Sequence, residues 1–175
     1  MSKHVVILAS INTDITASAV RLPERGETVE GYSVDMFGGG KGANQAIQCA
    51  KLGLDTHVIG MVGDDMQGNF VRQSLTEKGV NIDKVKVSSE YRTGCAAINV
   101  DPNGDNTLVY APGANHHIAA EQLEECRSLI ESAEVFVTQN EVNIDAALYG
   151  FRIVVTPASW AILRPYSAAS IFTSF

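Results

Sequence analysis

Cysteine is scarce in this 175-residue chain and never paired: Cys49, Cys95 and Cys126 are odd in number, far apart and form no Cys-x-x-Cys motif. That pattern excludes a disulfide framework and a cysteine-built zinc site, and it predicts buried apolar thiols in a reducing compartment. Positive charge is also short. The 13 Lys and Arg face 20 Asp and Glu, giving a net charge of −7 with no basic cluster, so phosphate backbones and anionic membrane surfaces are repelled. Long apolar runs are missing too. Val5 to Ala9 is too short for the hydrophobic region of a signal peptide, and no stretch approaches the length of a membrane span. Metal-ligand spacing is absent as well: His116-His117 has no i, i+4 companion, and Asp64-Asp65 reads as a helix cap because adjacent carboxylates point in different directions. These absences predict a cytoplasmic protein with a small neutral ligand, no nucleic-acid partner and no membrane association.

What is present is a globular composition, 45% hydrophobic and 19% charged, long enough for one domain with its own core. The most informative stretch is Phe37 to Ala46, which packs four glycines, Lys41 and Asn44 into a turn that runs into a helix. Ala43, Ala46, Ile47 and Ala50 recur at helical spacing, and Gly53 stands where a left-handed residue ends a helix. Bare backbone N–H groups and one positive charge thus converge at a helix start, which favours oxygen-rich or anionic ligands. A Walker loop is excluded, because Asp35 stands where its first glycine belongs and Gly42 where its hydroxyl belongs. Gly38, Gly40 and Ala43 loosely meet a dinucleotide-binding fingerprint, but after a long turn-rich segment and not a first strand, so a dinucleotide-binding domain is the lesser alternative.

Along the chain, Val5 to Ala9 is an unbroken apolar run suited to a central strand of a parallel sheet, with Asn12 and Asp14 just beyond its C-terminal end. Ile15 to Phe37 breaks into β-like pieces at Pro23, Gly26 and Gly31, and Cys95 to Val100 with Thr107 to Ala111 forms a hairpin around Asp101 to Asp105. Thr56 to Met61 reads as a strand and Met66 to Lys78 as a helix. Ile118 to Ala133 repeats the helical pattern, and Val135 to Val137 is the next buried strand, followed by Gln139-Asn140-Glu141. Strand and helix alternate, which predicts an α/β fold with a parallel, doubly wound sheet.

Gly39, Gly40, Gly42, Asn44, Ala46, Gly53 and Gly63 match the first signature of the PfkB family of sugar kinases, and Gly39 to Gln45 has the form of its ribokinase branch. The resemblance covers about Val5 to Val142. It implies a ribokinase-like three-layer α/β/α fold with a small β-sheet lid. Residues 1–143 would be the N-terminal substrate-binding part, with lid segments at about 15–37 and 94–111, and residues 144–175 a divergent tail. The family's sugar-binding positions fall on Asn12, Asp14, Gly40, Lys41, Asn44 and Glu141; Gly113-Ala114-Asn115 matches its tripeptide after the lid, here read as the turn itself. The implied activity is ATP-dependent phosphorylation of D-ribose, or a related sugar, at its terminal hydroxyl, with Mg and potassium as ions and a homodimer through the lid. The family's second signature, a Gly-Ala-Gly-Asp stretch carrying the catalytic base, does not occur. The resemblance therefore implies an absent C-terminal half holding the catalytic residues and most of the ATP and ion contacts. A non-catalytic sugar-binding or dimerising fragment is the alternative.

Phosphoryl transfer depends on positioning and charge stabilisation. The purified 175-residue chain, given ribose, ATP, Mg and potassium, should release no ribose-dependent ADP above the blank; turnover lost on Asn44→Ala or Asp14→Ala would reveal a catalytic centre in this half.

Overall fold

The computed structural model describes residues 4–154, 160–164 and 171–173. The opening apolar run forms β1 (His4–Leu8), and its pleat divides it between two cores. Val6 and Leu8 face one side with Ile59 and Phe136, while Val5, Ile7 and Ala9 face the other with Val58, Val62 and Val137. A strand with apolar residues on both faces needs helices on both, and the chain supplies them.

β2 (Asn12–Ala19) and β3 (Gly31–Gly39) leave the main sheet, and α1 (Lys41–Lys51) returns to it. β4 (Asp55–Gly63), α2 (Met66–Glu77) and β5 (Asn81–Ser88) follow. Next come β6 (Gly94–Val100), β7 (Asn106–Ala111) and a 3-10 turn at Gly113–His117. The remaining elements are α3 (Ala120–Glu124), α4 (Arg127–Glu131), β8 (Val135–Gln139), α5 (Ile144–Ile153), β9 (Trp160–Arg164) and β10 (Ile171–Thr173).

The main sheet has the order β10-β9-β8-β1-β4-β5 and is parallel except for β10. Ala43 and Ala46 of α1 with Val71 and Leu75 of α2 cover one face. Leu123 of α3, Ile130 of α4 and Ala146, Ala147 and Ile153 of α5 cover the other, which makes the three layers. From β1 the chain grows outward to β4 and β5, then returns to β8 on the opposite side. β1 and β8 therefore bound the switch point, where open α/β sheets form a crevice at their C-terminal ends. The second sheet, β3-β2-β6-β7, is the lid. β2 runs parallel to β6 and the other pairs are antiparallel.

The expected single helix from Ile118 to Ala133 is broken. Cys126 N bonds back to Leu123 O, a tightened 3-10 step, before Ile130 N picks up Cys126 O. The apolar spacing reported which face is buried, and Leu123, Cys126 and Ile130 keep that face across the break. Ile118 packs in the same core from outside the helix. Only Cys126 is a buried thiol; Cys49 and Cys95 are half-buried, on the flank of α1 and in the thin lid. Within the tail expected to diverge, α5 runs to Ile153, residues 155–159 lie outside the described residues, and the strand beside β8 is Trp160–Arg164. Asp65 caps α2 as expected, accepting from Gly68 N at 2.7 Å. No helix among the described residues is long and apolar enough to cross a membrane.

Phe136 is fully buried and meets Phe151 edge-to-face, with ring centroids 5.9 Å apart. Phe136→Ala should cost about 3–5 kcal/mol, the usual range for a large-to-small aromatic truncation in a core. Urea unfolding monitored by circular dichroism measures it, and a loss below about 1 kcal/mol would mean that this core is not close-packed.

Candidate functional site

At the C-terminal end of β1 the chain crosses from one sheet to the other through Ser10 and Ile11. Strand register then decides which side chains share a face. Asn12 lies between Gly39 and Gly94, and Asp14 lies between Phe37 and Ala96. Tyr110 is next to Ala96, and Leu108 is next to Ile98. Side chains two residues apart point the same way in a strand, so Asn12 and Asp14 share a surface with Ala96, Ile98, Leu108 and Tyr110. That surface is the roof of a cavity of about 340 Å³.

The floor comes from α1 and the loop after β8. Gly40 precedes α1 with φ 93°, and a Cβ there would lie 2.5 Å from Ser10 O. Gly42 admits no side chain either, since its Cβ would lie 2.4 Å from Ala9 Cα. Two glycines thus let the helix start press against the end of β1. Ser10 fastens it there: its carbonyl accepts Ala43 N at 3.1 Å and its hydroxyl accepts Gly42 N at 3.1 Å. Lys41 and Asn44, on the first turn, are exposed to the cavity.

Glu141 is buried at the opposite wall. One carboxylate oxygen pairs with Lys41 Nζ and the other accepts from Ser10 Oγ at 3.0 Å. Asp14 differs. Its carboxylate accepts no hydrogen bond among the described residues, and its pKa is raised, first by burial and then by the negative charge of Glu141. The cavity is therefore lined by carboxylate acceptors at Asp14 and Glu141, a cation at Lys41, amides at Asn12 and Asn44, and an apolar roof. At about 340 Å³ it suits a small polar molecule. All six positions named from the sequence, Asn12, Asp14, Gly40, Lys41, Asn44 and Glu141, line it together.

Sequence reasoning missed three buried residues behind this surface. Ser10 is one. Gln139 accepts Ser10 N at 3.2 Å and donates to Gln45 Oε1 at 2.7 Å. Asn115, read as part of a turn, is fully buried and bonds to the β1–β2 corner. Its signal was present as a polar residue after a glycine, but only the fold carries it some hundred positions back along the chain. The four roof residues were within the lid hairpin and were not named. The dinucleotide alternative falls here, because the glycine turn follows β3 of the lid and not a strand of the parallel sheet. A second cavity of about 490 Å³ lies at the far end of the lid; Glu27, its charged residue, is already paired with Arg21. Among the described residues no group of three His, Cys, Asp or Glu could hold a metal ion.

Residues 2–149 match the family described as pfkB family carbohydrate kinase. Ribokinase from Mus musculus is 34% identical over 179 residues, covering 96% of this chain and 55% of the relative. Ribokinase from Dictyostelium discoideum is 31% identical over 153 residues, covering 87% of this chain and 48% of the relative. The structure of Arabidopsis thaliana ribokinase complexed with ribose and ATP superposes with a TM-score of 0.80 at 29% identity, over 93% of this chain and 53% of that one. The chain spans about half the length of the curated relatives it matches. With the family matched over most of its length and the same layered fold beneath, this chain belongs to the pfkB family of carbohydrate kinases.

Proposed function

We propose that this chain carries the sugar-binding part of a ribokinase-type enzyme that transfers phosphate from ATP to the terminal hydroxyl of D-ribose or a related sugar. The observation that carries this reading is the convergence of Asn12, Asp14, Gly40, Lys41, Asn44 and Glu141 on one small cavity under an apolar lid. A sugar offers hydroxyls that both donate and accept, and one relatively apolar face of C–H groups. Carboxylates accept from the hydroxyls, the amides and Lys41 donate to them, and the lid's Ala96 and Ile98 cover the apolar face. The relative complexed with ribose and ATP supports the same ligand class for this chain.

No described residue takes the role of catalytic base. ATP, Mg and potassium, which the family resemblance implies, are assigned to the part of the relatives' length that this chain does not match. The contribution of the described residues is to bind, orient and cover the sugar. We further propose a cytoplasmic location and a homodimer through the lid. The observation favouring the dimer is that the lid's edge strands, β3 and β7, carry exposed apolar side chains, with Val34 71% and Val109 74% exposed. Unpaired edges with apolar residues seek a partner. β6 lies between β2 and β7, so the proposed pairing uses the two edge strands, β3 and β7. Sedimentation should give a dimer that Val34→Lys converts to monomer; a wild-type monomer at high protein concentration would remove the dimer reading.

Asp14 yields the direct test of the sugar reading. Replacing it by Ala should weaken ribose binding by about 1.5–3 kcal/mol, roughly 10- to 150-fold, the value of a charged hydrogen bond. Unchanged affinity by calorimetry would refute the assignment. Stability should move the other way. Folding raises the Asp14 pKa above 3.8, so its ionisation weakens the fold as pH rises from there through the raised value. Asp14→Asn should therefore raise Tm at pH 7 and leave it nearly unchanged below pH 3.8.

A further inference from the structure

Asn115 lies outside the cavity lining but is wired to Asn12, the most buried side chain in that lining. Its Oδ1 accepts Ile11 N at 2.8 Å, a backbone group that can only donate. Its Nδ2 lies 3.1 Å from Ile11 O and 2.9 Å from Pro112 O, which can only accept. These three backbone partners determine which end of the Asn115 amide is oxygen and which is nitrogen. The same Nδ2 lies 2.8 Å from the side chain of Asn12, so the atom that Asn12 turns to it must be oxygen. Gly94 leaves room for this contact: a Cβ there would lie 2.2 Å from Asn12 Oδ1 and 2.4 Å from Asn115 Nδ2. The backbone carbonyl of Asn115 also accepts Asn143 N at 3.3 Å, tying the corner to the loop that carries Glu141.

We infer that Asn115 is a positioning residue that sets the polarity of the binding site: by holding the Asn12 oxygen inward, it makes Asn12 present only its Nδ2 donors to the ligand. Asp14, two residues on along β2 and on the same face, presents only acceptors when ionised. One edge of the site therefore receives a ligand oxygen and the next receives a ligand O–H. This matches neighbouring hydroxyls of a neutral polyol and disfavours a positively charged amine at Asn12, because an ammonium has no lone pair to offer. The inference rests on the sugar reading only for the identity of the ligand; the wiring of the two amides stands apart from it.

The test is side-chain amide NMR on the ¹⁵N-labelled 175-residue chain, with Asn12 and Asn115 assigned by triple resonance. In the wild type the Nδ2 protons of Asn12 should exchange with water at least about tenfold faster than those of Asn115, the factor for one hydrogen bond of about 1.4 kcal/mol. Ribose, used as the probe, should shift the Asn12 resonances. Asn115→Asp removes the inward donor, so the Asn12 amide should turn, donate to the new carboxylate, and exchange at least about tenfold more slowly, with the ribose shift lost. Equal or reversed exchange in the wild type would overturn the assignment, and this comparison needs no variant if Asn115→Asp does not fold. An Asn12 amide indifferent to Asn115→Asp in a folded protein would overturn it too. If both amides behave as stated and ribose shifts nothing, the positioning role stands and the sugar reading fails.

Discussion

The site depends on how closely the first turn of α1 approaches the end of β1, and Ser10 is where that approach is held. Its carbonyl and hydroxyl take up the N–H groups of Ala43 and Gly42, two of the donors that a helix start leaves without intrahelical partners. Its hydroxyl proton goes to Glu141, more than a hundred residues away. One buried side chain thus links the strand, the helix and the loop after β8. The geometry is possible because Gly40 and Gly42 carry no Cβ; any side chain at Gly42 would collide with Ala9.

Charge in the cavity is arranged at an energetic cost that the fold carries elsewhere. Glu141 is desolvated but keeps both oxygens engaged, with Lys41 and with Ser10, which is what a buried carboxylate requires. Asp14 has no such compensation, and burial together with the nearby Glu141 works against its ionisation. Asp65 shows the contrast within the same chain. Burial opposes its charge as well, but hydrogen bonds from Thr93 and Gly68, with Arg92 nearby, hold its pKa below the ordinary value, and it serves as a helix cap. The two aspartates differ in partners, and the one with unmet acceptors is the one facing the cavity. Two cores pay for this by packing both faces of β1 against helices.

Much of this was legible in residue order. An apolar run without alternation identified β1 as central, since only a strand covered on both faces can bury every side chain. Gly53 follows α1 with φ 80°, as its place after the apolar repeat implied. Less legible was the continuity of the helix after Ile118, because apolar spacing records a buried face and is blind to a tightened turn at Cys126. The lid hairpin could be placed, but which of its side chains form the roof could not, because that depends on the register of β6 against β2.

Local order determined the strands, the glycine turn and the chemical types available for binding, because each depends on neighbours within a few residues. Tertiary structure alone decided that Lys41 and Glu141 pair, that Ser10 joins them, and that Asn115 reaches back to Ile11 and Asn12. Those contacts span about a hundred positions, and they form only when β1 and β8 are paired in the sheet and α1 is seated against them. An asparagine in a turn and an asparagine that orients another amide have the same letter. The difference is the set of donors and acceptors that the folded chain brings within 3 Å or so of it.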